Sequence, residues 1–226
     1  MLPETFRFAE LGHSNSPFNC EFEPFQSGKR NVFRITGTSI GVGAVLSITC
    51  GSMIILVRKA PRPGFEHSSL WAVPGGMLFP PEDEIRVPVE EYFRQVLVSR
   101  VLDETGVAIT STQIERLPWL PPITAYTVKG EKKMTVVIPY HVDVDAKLPL
   151  KSVDSSITEV RWCDPAEVCS ECCPAARLIA SRITGAKWTP EKKSSCKRMI
   201  EESFRECDQN ADETQMPRFS RDWFSS

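Results

Sequence analysis

Two apolar, β-rich runs, a Pro74-Gly75-Gly76 turn and a helix-patterned stretch ending in Asp103-Glu104-Thr105-Gly106 follow one another in this chain, and that order constrains the fold more than any other feature. The runs are Ile40–Thr49 and Met53–Val57, and Cys50-Gly51-Ser52 between them has the composition of a tight turn. Pro followed by Gly-Gly bends the backbone sharply and leaves no side chain in the way. In the stretch after it, Phe93, Val96, Leu97, Val101 and Leu102 recur at helical spacing, which predicts a helix over Val89–Thr105. Gly106 fits the position just past a helix end. Glu90 and Glu91, at the start of the helix, read as a solvated face. No charged residue lies between Arg34 and Arg58, and such a span is long enough to cross a bilayer. The glycines at 37, 41, 43 and 51 and the interleaved Ser and Thr dilute it, so a buried hairpin is the expected structure.

The 226 residues suit one domain with extensions. The pattern divides them into an N-terminal extension at 1–31, an α/β domain at 32–183, and a C-terminal helix and polar tail at 184–226. Within the domain, Val107–Ile109 reads as the start of a strand, and Met134–Val144 and Val160–Cys163 read as two more. Asp164-Pro165-Ala166-Glu167 carries a cap, an early proline and a Glu three residues after the cap, predicting a helix that runs to about Ile183. The tail has a narrow apolar stripe and the aromatics Phe219, Trp223 and Phe224, a candidate contact for a protein partner. A formal net charge of −2 gives no drive toward nucleic acid or an anionic membrane. Glu4 and Glu10, with no basic segment ahead of an apolar run, argue against a targeting peptide, and the expected location is intracellular, in the cytoplasm. The eight cysteines then read as free thiols.

The ordered set resembles the Nudix box, which in family notation is Gly, five residues, Glu, seven residues, then Arg-Glu-U-x-Glu-Glu-x-Gly-U with U aliphatic. Gly76 is followed by five residues and Glu82, and the far end reads Val101-Leu102-Asp103-Glu104-Thr105-Gly106-Val107. The resemblance extends to Gly41–Val45 and Ile54–Arg58 before the box and to Thr158–Trp162 with Asp164–Glu167 after it. It implies a Nudix-type α/β/α sandwich with a mixed sheet. It also implies hydrolysis of a nucleoside diphosphate linked to another group, ADP-ribose-like or a dinucleotide, with Mg²⁺ or Mn²⁺ as cofactor. Carboxylates at i, i+3 and i+4 on one helical face hold a hard cation through oxygen, and the cation activates water for attack on phosphorus. Carried over residue by residue, the metal ligands are Asp103, Glu104 and Glu82. The catalytic carboxylates are Asp103, Glu104 and Asp154, the last taken from a late loop. Gly75, Gly76 and Arg100 face the bound nucleotide.

Two departures set this chain apart. The spacer after Glu82 has sixteen residues, 83–98, where the pattern has seven, and the Arg-Glu pair is Ser99-Arg100. A guanidinium stays charged. A dication and Arg about 5 Å apart repel by roughly 7 kcal/mol at an effective dielectric of ~20. Metal binding is therefore expected to be weak, and Arg100→Glu to raise Mg²⁺ affinity at least tenfold. Glu82, Asp83 and Glu84 are the nearest loop carboxylates that can substitute.

Other signals read as structural. Pro121 and Pro122 lie where members acting on ADP-ribose-like substrates carry a proline, and Tyr126 lies near a position used by dinucleoside-polyphosphate members. Cys169, Cys172 and Cys173, with Cys163 nearby, lack a second ligand pair, and no zinc is expected. His13, His67 and His141 lack the partner spacing of a catalytic triad. Two classes of function remain: a hydrolase with a weakened site, or a Nudix-fold nucleotide-binding or protein-interaction module in which Arg100 pairs with a ligand phosphate.

Overall fold

A computed structural model of the chain describes residues 6–7, 21–27, 30–35, 41–63, 68–81, 87–117, 123–126, 132–164, 171–184 and 191. Glu82, Asp83, Glu84, Pro121, Pro122, Cys169, His13, His67 and the tail aromatics lie outside the described residues. Among the described residues, eleven strands form one mixed sheet: β1 (Phe6–Arg7), β2 (Glu21–Ser27), β3 (Arg30–Ile35), β4 (Gly41–Cys50), β5 (Met53–Lys59), β6 (Trp71–Ala72), β7 (Gly75–Met77), β8 (Glu115–Arg116), β9 (Ile123–Tyr126), β10 (Lys132–Asp143) and β11 (Ile157–Cys163). Every named pairing is antiparallel except that of β10 with β4, in register from Thr135 opposite Gly41 to Asp143 opposite Thr49. Strand β2, from the segment assigned to an extension, pairs with β3 along its length and so joins the sheet. Among the described residues, no helix is long and apolar enough to cross a membrane.

The sheet separates two apolar layers. Helix α1 (Val89–Thr105) lies on one face, where Phe93, Leu97 and Val101 pack with Phe33, Leu46, Ile48, Ile55, Ile138 and Tyr140. Helix α2 (Pro174–Thr184) lies on the other, where Ala176, Leu178 and Ile179 pack with Ile54, Leu56, Trp71 and Cys163. Side chains alternate across a strand. Ile54, Leu56 and Arg58 of β5 therefore belong to the α2 side, and Ile55, Val57 and Lys59 to the α1 side. That alternation places a lysine beneath the C-terminal end of α1.

Helix α1 has the predicted bounds and ends with Gly106 in the left-handed region, its N–H on Leu102 O at 2.8 Å. Leu102 is 45 % exposed, because the buried stripe passes through its neighbour Val101. Glu90 is not a solvated charge. It accepts Tyr140 Oη at 3.0 Å and the guanidiniums of Arg94 and Arg116, each at 3.3 Å, and so ties the start of α1 to the sheet. Val107–Ile109 forms no strand: Val107 is buried among core side chains, but the ladder with β10 begins only at Glu115. Of the helix expected from Asp164 to about Ile183, residues 165–170 lie outside the described residues, and α2 begins at Pro174 after a non-helical stretch at 171–173. Trp71 N–H donates to Glu171 O and Cys173 N–H donates to Trp71 O, so the chain just before Pro174 is bridged to β6 instead of coiled.

Candidate active site

The Pro-Gly-Gly turn sits tightly against the sheet. Gly75 has φ +131°, and a Cβ there would strike the Ala44 carbonyl oxygen and lie 2.8 Å from Val45 Cα. Only glycine lets β7 lie this close to β4. With the turn seated, Gly75 N–H points at the end of α1 and donates to Glu104 Oε2 at 2.8 Å. Lys59 Nζ reaches the same carboxylate, 2.5 Å from Oε1, and also donates to Gly75 O at 3.2 Å. Glu104 is buried, whereas the Lys59 side chain is 29 % exposed. Both oxygens of Glu104 are thus engaged inside the protein, one by a cation and one by a backbone N–H.

Arg100 lies one turn earlier. Its Nη1 donates to Met77 O at 2.8 Å, and its guanidinium carbon lies 5.3 Å from the centre of the Phe79 ring. A Cβ on Gly76 would come within 2.7 Å of the same nitrogen, so Gly76 leaves room for the arginine. The residue at the metal-ligand position of the sequence pattern therefore clamps the turn to the helix.

Asp154 is brought in by the end of α1. The last carbonyls of a helix need outside donors. Here Lys151 N–H satisfies Thr105 O at 2.9 Å, and Val153 and Asp154 N–H both reach Asp103 O, at 2.9 and 3.2 Å. The loop is thereby held against the helix, with Asp103 exposed and Asp154 half-buried. Burial raises the Asp154 carboxyl, but hydrogen bonds from Ser156 and the charges of Lys59 and Arg100 together hold it below its usual value. Tyr92, Gln95, Val96, Ser99, Arg100 and Asp103 of α1, with Asp154 opposite, line an open cleft of about 490 Å³.

The structure thus gathers Gly75, Gly76, Arg100, Asp103, Glu104 and Asp154 at one end of α1, while Glu82 lies outside the described residues. It adds Lys59, which sequence reasoning missed. Among the described residues, the donor set does not fit a divalent cation. Both oxygens of Glu104 already accept a hydrogen bond, and the positive charges of Lys59 and Arg100 beside them oppose a dication. Among the described residues, no three His, Cys, Asp or Glu side chains form a group that could hold a metal ion.

Two other clusters lie apart from this end of α1. Ser47 lies opposite His141 across β4 and β10, with Oγ 3.0 Å from Nδ1, and His141 Nε2 is 3.3 Å from Asp143 Oδ2. This has the order of a hydrolytic triad, but Ser47 is fully buried and its hydroxyl bonds the Tyr140 carbonyl at 3.0 Å, so it is not a nucleophile. Cys163 and Cys172 are buried. Arg161 Nε donates to Cys163 Sγ at 3.1 Å, and burial pushes the Cys172 thiol up to about 12.

No protein-family model matches the sequence, and neither does any curated protein. Similar solved structures include the NUDIX domain of Shewanella oneidensis NrtR, crystallised with ADP ribose, at 18 % identity over 65 % of this chain and 88 % of that one, with a TM-score of 0.48. A MutT NUDIX hydrolase from Burkholderia pseudomallei is similar at 20 % identity over 64 % and 98 %, with a TM-score of 0.42. A MutT/nudix family protein from Enterococcus faecalis is similar at 20 % identity, with a TM-score of 0.40. That match takes in 54 % of this chain and less than half of the other, 43 %.

Proposed function

We propose that this is a Nudix-fold binding protein that has given up metal-dependent hydrolysis, and that its cleft takes a nucleoside-diphosphate-type ligand with Arg100 toward the phosphates. The observation that carries the proposal is the closed state of Glu104, bonded by Lys59 on one oxygen and by Gly75 N–H on the other. An ammonium seated on this carboxylate neutralises it and repels a hydrated Mg²⁺, so no water is activated there. The site keeps a means of recognition. A guanidinium has five N–H donors, and the bond to Met77 uses one of them. The carboxylates of Asp103 and Asp154 on the same cleft oppose an anion, which limits affinity, so Asp154→Asn should tighten binding.

Calorimetric titration with ADP-ribose, in EDTA and then in Mg²⁺, tests this, together with an assay for released AMP. Binding of equal strength in both buffers and no AMP is the expected result. Brisk Mg²⁺-dependent turnover would sink the proposal. In the same titrations Arg100→Glu should abolish ligand binding. Contrary to the expectation from sequence, it should raise Mg²⁺ affinity by less than tenfold, because Lys59 still holds Glu104.

A further inference from the structure

The bonds of Lys59 are those of a bound cation. Its ammonium lies 2.5 Å from a buried carboxylate oxygen and 3.2 Å from a backbone carbonyl oxygen, both on the turn-and-helix junction. Hard dications take the same two kinds of oxygen. Strand alternation fixes the position: Lys59 ends β5 on the α1 side, so its four-carbon stem delivers the charge from beneath the site. Two of the three ammonium hydrogens are accounted for by these bonds, which leaves one for a further oxygen.

We infer that Lys59 is a tethered substitute for a divalent cation, and that Glu104 Oε1 with Gly75 O forms a latent metal position which the lysine keeps closed. The substitution changes the chemistry of the site. A dication brings two charges, open coordination positions and bound water. An ammonium brings one charge and no water, so it preserves the geometry of the turn while removing the means of hydrolysis. The effect also runs the other way. Without the lysine, Glu104 is a buried carboxylate whose remaining partner among the described residues is Gly75 N–H, and an added dication can take the place of the ammonium.

The inference rests on the metal-free reading of the site, and Lys59→Met tests it separately. The probe is Mn²⁺ alone, followed by calorimetry and by the melting temperature of the 226-residue chain. Wild type should bind Mn²⁺ weakly and keep its melting temperature on addition of the ion. Lys59→Met should melt lower, bind Mn²⁺ at least tenfold more tightly than wild type, and recover the lost stability when Mn²⁺ is added. Lys59→Met/Glu104→Gln, with neither charge, should lose the gain in Mn²⁺ binding. If Lys59→Met is insoluble in EDTA, recovery on purification in Mn²⁺ supports the inference, and insolubility in both buffers overturns it. Equal Mn²⁺ affinity in wild type and Lys59→Met also overturns it. ADP-ribose binding by wild type in EDTA, measured alongside, reports on the metal-free reading whatever the variants do.

Discussion

Gly75→Ala should destabilise the chain by about 3 kcal/mol or more, and its urea-unfolding midpoint should fall accordingly. Two effects add. The backbone at Gly75 has φ +131°, where an L side chain is strained by on the order of 1–3 kcal/mol. The new Cβ also meets backbone, the Ala44 carbonyl and Val45 Cα, which cannot rotate away as a side chain can. Overpacking of this kind typically adds about 1–3 kcal/mol. Relief requires β7 to leave β4, and then Gly75 N–H leaves Glu104. Gly51→Ala separates the two effects. Gly51 also has positive φ, at +60°, but nothing lies within 4 Å of its added Cβ, so the loss there should be only about 1–2 kcal/mol. If Gly75→Ala proved no worse than Gly51→Ala, the close seating of the turn would be wrong.

The parts that sequence made legible are those set by neighbours along the chain. Phe93, Leu97 and Val101 carry their own period, Gly106 its own stop, and Cys50-Gly51-Ser52 its own turn, and the structure has the helix and the hairpin in those places. Long-range pairing decided what was missed. A strand buried on both faces, like Ile54–Val57, has no polar–apolar alternation to show which side a following charge will take. Arg58 and Lys59 are adjacent cations, yet one lies over Trp71 on the α2 side and the other beneath α1. Glu90 looked solvated because its partners Arg116 and Tyr140 stand 26 and 50 positions away. The helix expected to run on from Asp164-Pro165-Ala166-Glu167 to Ile183 is interrupted at Glu171–Cys173, which bonds to Trp71, 100 positions back from Glu171, and α2 starts at Pro174.

Glu104→Ala is expected to be the costliest change on α1 outside its apolar stripe. The carboxylate is buried and serves two donors from different elements, Lys59 of β5 and Gly75 of β7, so it joins helix, strand and turn at one point. Removing one partner of a buried ion pair costs about 3–5 kcal/mol. That figure is reduced here because the Lys59 side chain is 29 % exposed and its ammonium can turn toward water. Gly75 N–H has no such escape, and an unsatisfied buried donor costs about 1–3 kcal/mol. A loss of roughly 3 kcal/mol in urea denaturation is the expected sum. Glu104→Gln keeps an oxygen for Gly75 N–H and should lose only about half as much. Combining it with Lys59→Met replaces the charged pair by a neutral one of similar shape, and such replacements are often close to neutral. The double variant should therefore be more stable than the sum of its two single changes by at least about 1 kcal/mol. Strict additivity would mean that Lys59 and Glu104 do not act on each other, and that the ion pair at the end of α1 is not what holds the turn in place.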